Sequence, residues 1–353
     1  MRDPVVINGR FLTQPFSGVQ RYACEIVRAL DRRPDAGERY LLVTPRGARA
    51  LPLTSIPTRV VGRGGGHMWE QTALAWAARG QRLLSLGGAG PVFHPRQMVV
   101  VHDAAVFRRP AHFRPGYALA HRLLDRQLAG RAHLATVSRF SRQELAAVLH
   151  LDPDDIAIAP NAADHLNAVT PDAAVIGALG LTDRPYFVVL GNLAPNKNID
   201  TVLRAMGRTP DPALRLVLVG GRPSAVANTR SAPPDPRVIQ AGRRSDAEVV
   251  ALLHHARGLV FASLYEGFGI PPLEALAQGC PVIASDIDAT REVCGDAALY
   301  FAPTDDAALA HHMQTLMAGS DPARRAAGLH RANAYDWAAS ATVLDDWLST
   351  TWR

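Results

Sequence analysis

Apolar positions along this chain follow two rhythms that alternate from one end to the other. Short runs of adjacent apolar residues predict strands buried on both faces, and the segments between them repeat apolar residues at helical spacing. In the first half the strand-like runs are PVVING, YLLVTP, TRVVG, MVVVHD, HLATVS and DIAIAPN. Helical spacing falls at Val19–Leu30, Trp69–Ala78, Leu119–Leu128 and Arg142–Leu149, the last with Ser141 placed as its N-cap. The second half repeats the grammar with YFVVLGN, LRLVLVGG, RVIQAG, GLVFAS, PVIASD and ALYFAP. Its helical patterns cover Ile199–Met206, Ala247–His255 and Ala307–Met317, and a last helical stretch runs from Pro322 to Trp352. Strands alternating with helices predict parallel sheets with both faces covered, so two such series predict two doubly wound α/β domains. The pattern breaks at NAADHLNAVTPD, which places the boundary near residues 162–172. The Pro- and Ser-rich stretch from Arg222 to Pro236 reads as a surface loop inside the second domain.

A chain of 353 residues is long enough for two domains with their own cores. Its 48% hydrophobic and 20% charged residues fit a globular protein rather than a disordered one. The apolar runs are too short to span a bilayer, which takes roughly 18 residues or more. The N-terminal MRDPVVINGRFL goes straight into strand-like sequence and has no signal-peptide pattern. Cys24, Cys280 and Cys294 lack metal or redox spacing and read as packed thiols of a reducing compartment.

Charge changes the picture in two ways. The net charge is +6, and it is uneven: through residue 165 there are 22 Arg against 13 acids, and beyond it 16 basic residues against 19 acids. Between Arg108 and Arg142 lie eight arginines and one acid, Asp125. Such a stretch suits an anionic membrane or a phosphorylated lipid, although a solvated Arg-rich surface would read the same. Aromatic residues are not interleaved with these arginines as a nucleic-acid surface would require. The second feature is Lys197, the single lysine among 38 basic residues. Lysine is a compact point charge with three rotatable donors and suits a phosphate in a tight pocket, whereas chance alone could also leave one lysine behind.

In open parallel α/β sheets ligands bind outside the carboxyl ends of the strands. The chemically suggestive residues fall there: Ser17-Gly18 after the first strand, His102-Asp103 after MVVV, Ser138, Asn192 and Lys197 after YFVVLG, Gly220-Gly221, and Glu266. The densest string is SLYEGFGIPPLEALAQGCPVIASD, in which seven residues separate Glu266 from Glu274. Gly267 and Gly269 keep that loop small, and Pro271 or Pro272 suits the first turn of a helix whose free amides would face a diphosphate. Glu274 is placed in that first turn, where an acid is also favoured by the helix dipole.

The Glu266–Glu274 string resembles the E-x7-E signature of retaining glycosyltransferases of family 4, which have the GT-B fold. The likeness extends over essentially the whole chain: SGVQRYACEIV, VVVHD, TVSRFSRQEL, IAPNAAD, GNLAPNKN and YDWAASA each resemble family segments. It implies two Rossmann-like domains facing each other across a cleft, with an N-terminal acceptor-binding domain (1–165) and a C-terminal nucleotide-sugar-binding domain (166–335). Residues 336–353 are then a helix crossing back to the first domain. The resemblance further implies that Lys197 binds the donor diphosphate, with Gly18 and Asn192 beside it. Glu274 would bind the ribose, and Glu266 the transferred sugar with Gly267, Phe268, Gly269 and Ile270. His102 would lie near sugar and acceptor, giving His102, Glu266 and Lys197 as the catalytic set. Many relatives carry a basic residue at the position of Asn192 or Asn196, which leaves Lys197 as the main cation there unless Arg243 or Arg244 adds a second. Arg108, Arg109, Arg114, Arg122 and Arg126 would form the acceptor or membrane face.

The activity so implied is transfer of a sugar, with mannose from GDP-mannose favoured, to a lipid-linked saccharide or glycolipid in polysaccharide biosynthesis. It needs no metal or other cofactor, and Asp286-Ile287-Asp288 is taken as structural. The protein is expected in the cytoplasm, peripheral on the inner face of the plasma membrane, with no nucleic-acid partner. A nucleotide-sugar epimerase or hydrolase of the same fold and a non-catalytic partner subunit are the alternatives. An NAD-dependent dehydrogenase would want G-x-G-x-x-G where the chain has FSGVQ.

Overall fold

The computed structural model describes residues 4–192, 194–221, 235–319 and 321–352. Most of the expected surface loop, residues 222–234, therefore lies outside the described residues. The chain forms two compact units, one of Met1–Arg108, Gly116–Asn161 and Asp336–Arg353, the other of Arg109–Pro115 and Ala162–Tyr335.

In the first unit β1 Val5–Asn8, β2 Tyr40–Thr44, β3 Thr58–Val60, β4 Arg82–Ser85, β5 Gln97–Val100, β6 His133–Thr136 and β7 Ile156–Ile158 make one parallel sheet. Its order is β3-β2-β1-β4-β5-β6-β7. Strand β4 is absent from the sequence reading. It offers only Leu83 and Leu84 between Arg82 and Ser85, too short an apolar run to announce a strand. Pairing with β1 on one side and β5 on the other supplies what the local pattern lacks. The second unit has β8 Tyr186–Leu190, β9 Arg215–Val219, β10 Val238–Gly242, β11 Gly258–Phe261, β12 Val282–Ser285 and β13 Ala298–Phe301, in the order β10-β9-β8-β11-β12-β13. All six follow the sequence expectation, and β8, β9, β11 and β12 are the near-continuous buried apolar runs that parallel strands covered on both faces require. The fold is α/β with two Rossmann-like domains.

Each sheet reverses its strand order once, between β1 and β4 and between β8 and β11, and such switch points open the crevice in which ligands bind.

The helices adjust the expectation in three places. The N-cap of helix Arg139–Leu149 is Ser138, whose hydroxyl accepts from the Ser141 amide at 2.9 Å; Ser141 lies inside the first turn. Its own hydroxyl donates to the His102 carbonyl instead. The helix over residues 66–77 is continuous but contains a π turn at Glu70–Leu74. The final stretch divides into Pro322–Ala332 and Trp337–Thr350, the second capped by Asp336. Helix Trp337–Thr350 packs against helix Gly18–Asp31 of its own unit. There Trp337 meets Tyr22 edge to face at 5.8 Å, and Ser340 donates to the Pro160 carbonyl at 2.7 Å. Buried Asp345 takes Arg39 at 2.6 Å, Arg33 at 3.1 Å and the Tyr40 hydroxyl. All three cysteines are buried and free.

Candidate active site

The switch point of the second unit is built from two short loops. After β8 the chain passes Gly191 and exposed Asn192 into a single 3-10 turn, Pro195–Lys197. Asn198 closes this turn in the left-handed region (φ 54°) and anchors it by donating to the carbonyls of Ala262 and Pro303. After β11 the second loop runs to Gly269, whose φ of 104° lets the chain enter helix Ile270–Ala277 at a sharp angle. The loops are tied by the Leu264 amide donating to the Asn196 carbonyl at 2.7 Å. This brings the Lys197 ammonium to 2.5 Å from Glu266 Oε1, both side chains about one-sixth exposed. The same ammonium sits 5.2 Å from the Phe261 ring centroid. Lys197 and Glu266, assigned to two different parts of a donor, are thus one ion pair straddling β8 and β11.

Glu274 corrects the sequence reading. The helix begins at Ile270, so Glu274 is its fifth residue and the first turn holds no acid. The helix-dipole explanation for an acid there falls away. Its carboxylate instead lies 3.4 Å from Nε2 of His165, an almost fully buried histidine that the sequence did not single out. The Phe268 ring is buried edge to face on Tyr335 at 5.3 Å, so only its backbone can meet a ligand. Asn196 reaches Glu266 Oε1 and the Tyr265 carbonyl at 3.5 Å. Of the two arginines left open, Arg244 is held by Glu248 at 2.9 Å and by the Ala241 carbonyl. Arg243 runs beside Gly221. Asp286 is paired with Arg291 through two bonds of 2.7 and 2.8 Å.

In the first unit Gly18 is exposed at the start of its helix, and Ser17 bonds Gln20 rather than capping the first amides. His102 donates Nε2–H to the Leu86 carbonyl at 2.9 Å and packs edge to face on Tyr22 at 4.9 Å. Burial lowers its pKa to about 4, so near neutral pH it is an uncharged ring whose Nδ1 can only accept. At this unit's switch point lies a polar knot that the sequence analysis missed. Glu70, with no exposed surface, accepts from Asn8 at 2.8 Å, pairs with Arg10 at 2.8 Å and accepts from His67 Nδ1 at 2.9 Å. The rings of His67, His121 and Tyr117 follow one another from there, at 5.4 and 4.2 Å. Its signal was an acid on the apolar stripe of its helix, in line with buried Leu74 and Ala78. Glu70 also opens the π turn, a feature frequent at functional sites.

The five arginines of the expected basic face are not alike. Arg108 is paired with Glu144 at 2.7 Å, and Arg122 donates to the carbonyls of Val106 and Phe107. Arg109 and Arg114 belong to the second unit and Arg126 to the first. Asp125, the one acid of the stretch, is buried; burial and then the neighbouring Asp103 push its pKa up to about 7. Among the described residues no helix is long and apolar enough to cross a membrane.

Two parallel doubly wound domains are the architecture of the GT-B fold, and comparison with known proteins agrees. Residues 176–330 match the family described as glycosyl transferases group 1, so the second unit is a glycosyl transferase group 1 domain. The chain is 29% identical over 272 residues to O-antigen chain mannosyltransferase B of Escherichia coli, covering 70% of each protein. Its fold is similar to that of WaaG, a glycosyltransferase involved in lipopolysaccharide biosynthesis, with a TM-score of 0.72, 16% identity and coverage of 98% of this chain and all of that one. It is also similar to Anabaena Alr3699/HepE in complex with UDP and glucose, with a TM-score of 0.72, 16% identity and coverage of 99% and 100%.

Proposed function

We propose that this glycosyltransferase moves a mannosyl residue from GDP-mannose to a lipid-linked saccharide or glycolipid, with retention at the anomeric carbon, in polysaccharide assembly. The observation that carries the reading is the Lys197–Glu266 pair astride β8 and β11, with Glu274 on the helix that follows. Lys197 takes the donor diphosphate and Glu266 the hydroxyls of the transferred sugar, with the backbone from Gly267 to Ile270 around it. Glu274 holds the ribose. The mannosyl and polysaccharide parts rest on the name of the Escherichia coli relative, and the nucleotide part on the UDP named with the HepE structure. In the first unit the exposed amide end at Gly18 suits a phosphate, and neutral His102 suits a hydroxyl donor through Nδ1. The acceptor binds on this unit, near the Glu70 knot.

In the transfer the bond between the anomeric carbon and the diphosphate oxygen breaks as the acceptor oxygen bonds on the same face. The acceptor proton passes to the departing diphosphate oxygen. The protein's part is to hold both substrates and to stabilise charge on the leaving group. No metal or other cofactor is required. The enzyme works in the cytoplasm, peripheral on the inner face of the membrane, with Arg109, Arg114 and Arg126 contributing positive charge.

A thermal-shift panel of GDP, UDP, GDP-mannose and UDP-glucose tests the donor. A ligand at a hundred times its dissociation constant adds about 2.7 kcal/mol of apparent stability. GDP and GDP-mannose are expected to raise the melting temperature most, with or without a chelator. A response to none of the four overturns the reading. Transfer to a membrane extract, followed by anomeric coupling constants of the product, tests retention.

A further inference from the structure

We propose that the second unit carries a separate anion site at the amino edge of its sheet, which takes a phosphoryl group attached to an apolar or ring body. The proposed transfer makes no use of this edge. Ligands of a parallel α/β sheet bind at the carboxyl ends of the strands, where Lys197 and Glu266 stand. Yet a cavity of about 770 Å³ opens at the other end, where β8, β11 and β12 begin; Tyr186, Arg257 and Pro281 line it there. That volume is in the range of sites for small organic molecules. Part of its wall is apolar, from buried Leu181, Tyr186 and Leu316.

Three arginines reach this cavity from three separate segments: Arg184 just before β8, Arg257 just before β11, and Arg325 in helix Pro322–Ala332. All three are exposed, and among the described residues none of them is in an ion pair. Two acids share the cavity. Asp321 is committed to capping helix Pro322–Ala332 and to Arg324 at 3.2 Å, which leaves Asp183 against three guanidinium groups. Arg325 is also held in place by the backbone. Gly279, in the left-handed region (φ 65°), gives up to its guanidinium the space that a side chain would fill: a Cβ there would lie 2.8 Å from Nε and 3.2 Å from Cζ and Nη2. The next residue, Cys280, supplies no counter-charge, because burial pushes its thiol up to about 12. A planar donor fork laid on a glycine, without a carboxylate of its own, fits the oxygens of a phosphoryl group. The wall of Tyr186 and Leu316 gives the attached body an apolar surface.

Ligand-detected NMR titrations of the full chain with phenyl phosphate, inorganic phosphate and phenol test the site. Phenyl phosphate is expected to bind about 10-fold tighter than either fragment. Arg325→Ala and Arg257→Ala should each weaken it about 10-fold, the loss of one charge-assisted hydrogen bond. Gly279→Ala, which keeps every charge but displaces the Arg325 guanidinium, should weaken it as well. Lys197→Ala, at the other end of β8, and Arg204→Ala, which removes a surface cation paired with Asp306 outside the cavity, should leave it about as in the parent. Absence of phenyl phosphate binding overturns the proposal, and so does equal affinity for phenol. Loss of binding in Lys197→Ala with none in Arg325→Ala and Arg257→Ala also overturns it, since the ligand would then sit at the donor end. Sedimentation with vesicles containing phosphatidic acid separates two sources of the phosphoryl group. Vesicle binding that falls in Arg325→Ala makes it a lipid headgroup, and vesicle binding indifferent to Arg325 makes it a soluble phosphate ester.

Discussion

At the scale of single residues, two carboxylates of one signature occupy unlike surroundings. Glu266 is balanced by Lys197, whereas Glu274 faces His165 from the second turn of its helix. Removing Glu274 should weaken both GDP-mannose and GDP, because the ribose is common to them. Glu266→Ala should leave GDP binding within a few-fold, since it also frees Lys197 for phosphate, and should cut turnover by ten-fold or more. Calorimetry with GDP beside steady-state rates separates the two. Near-normal turnover in Glu266→Ala would remove the sugar-binding role. Asp125 makes a different prediction, in pH. Its folded pKa of about 7 stands above its ordinary value, so the folded state holds a proton that the unfolded chain has already lost. Its contribution is present at low pH and fades as pH rises from about 4 to 7. Asp125→Asn should therefore raise the melting temperature at pH 7.5 and leave it nearly unchanged at pH 4. An equal shift at both values would mean that the effect is packing rather than ionisation.

At the scale of elements, helix Pro115–Ala129 carries its charge and its exposed apolar groups together. Tyr117, Leu119 and Leu123 are 40%, 59% and 51% exposed, and Arg126 lies one turn from Leu123. A helix that keeps leucines in water beside arginines suits an interface between water and anionic lipid. Leu119→Asp with Leu123→Asp should abolish sedimentation with vesicles containing anionic lipid, whereas Arg126→Ala should weaken it by about 1 kcal/mol, an effect lost in high salt. Unchanged sedimentation of the double variant would exclude this helix from the membrane face. Arg122 should matter little to binding, because its guanidinium is spent on the carbonyls of Val106 and Phe107.

At the scale of the whole molecule, the chain closes its first unit with its last helix. Asp345 is buried and serves Arg33, Arg39 and Tyr40, all three more than 300 positions earlier in sequence. Asp345→Ala leaves Arg39 beside a burial site without its counter-charge, and breaking such a pair costs about 3–5 kcal/mol. The variant should melt well below the parent, in a first transition assigned to the first unit, and GDP should still raise the melting temperature of the second. Loss of the GDP response in a variant that is still folded would show that the donor half depends on this helix.

Local sequence was enough for the strands of both sheets except β4, for most of the longer helices but not for Ala174–Ala178 or Asp288–Cys294, and for the presence of Lys197, Glu266 and Glu274 at strand ends. A strand covered on both faces and a helix with one apolar stripe write their identity in neighbouring residues, and chain order alone puts loop residues at a sheet's carboxyl edge. Tertiary structure decided what no neighbour encodes. It made β4 a strand by pairing it on both sides, moved Glu274 out of the first helical turn, joined Lys197 to Glu266 and turned Phe268 into core. It also gathered Asn8, Arg10, His67 and Glu70 at one switch point from segments about sixty residues apart. Charge partners and burial depend on which strand lies beside which, and that order, β8 next to β11 and β1 next to β4, is fixed by the packing of helices on the sheets rather than by any local pattern.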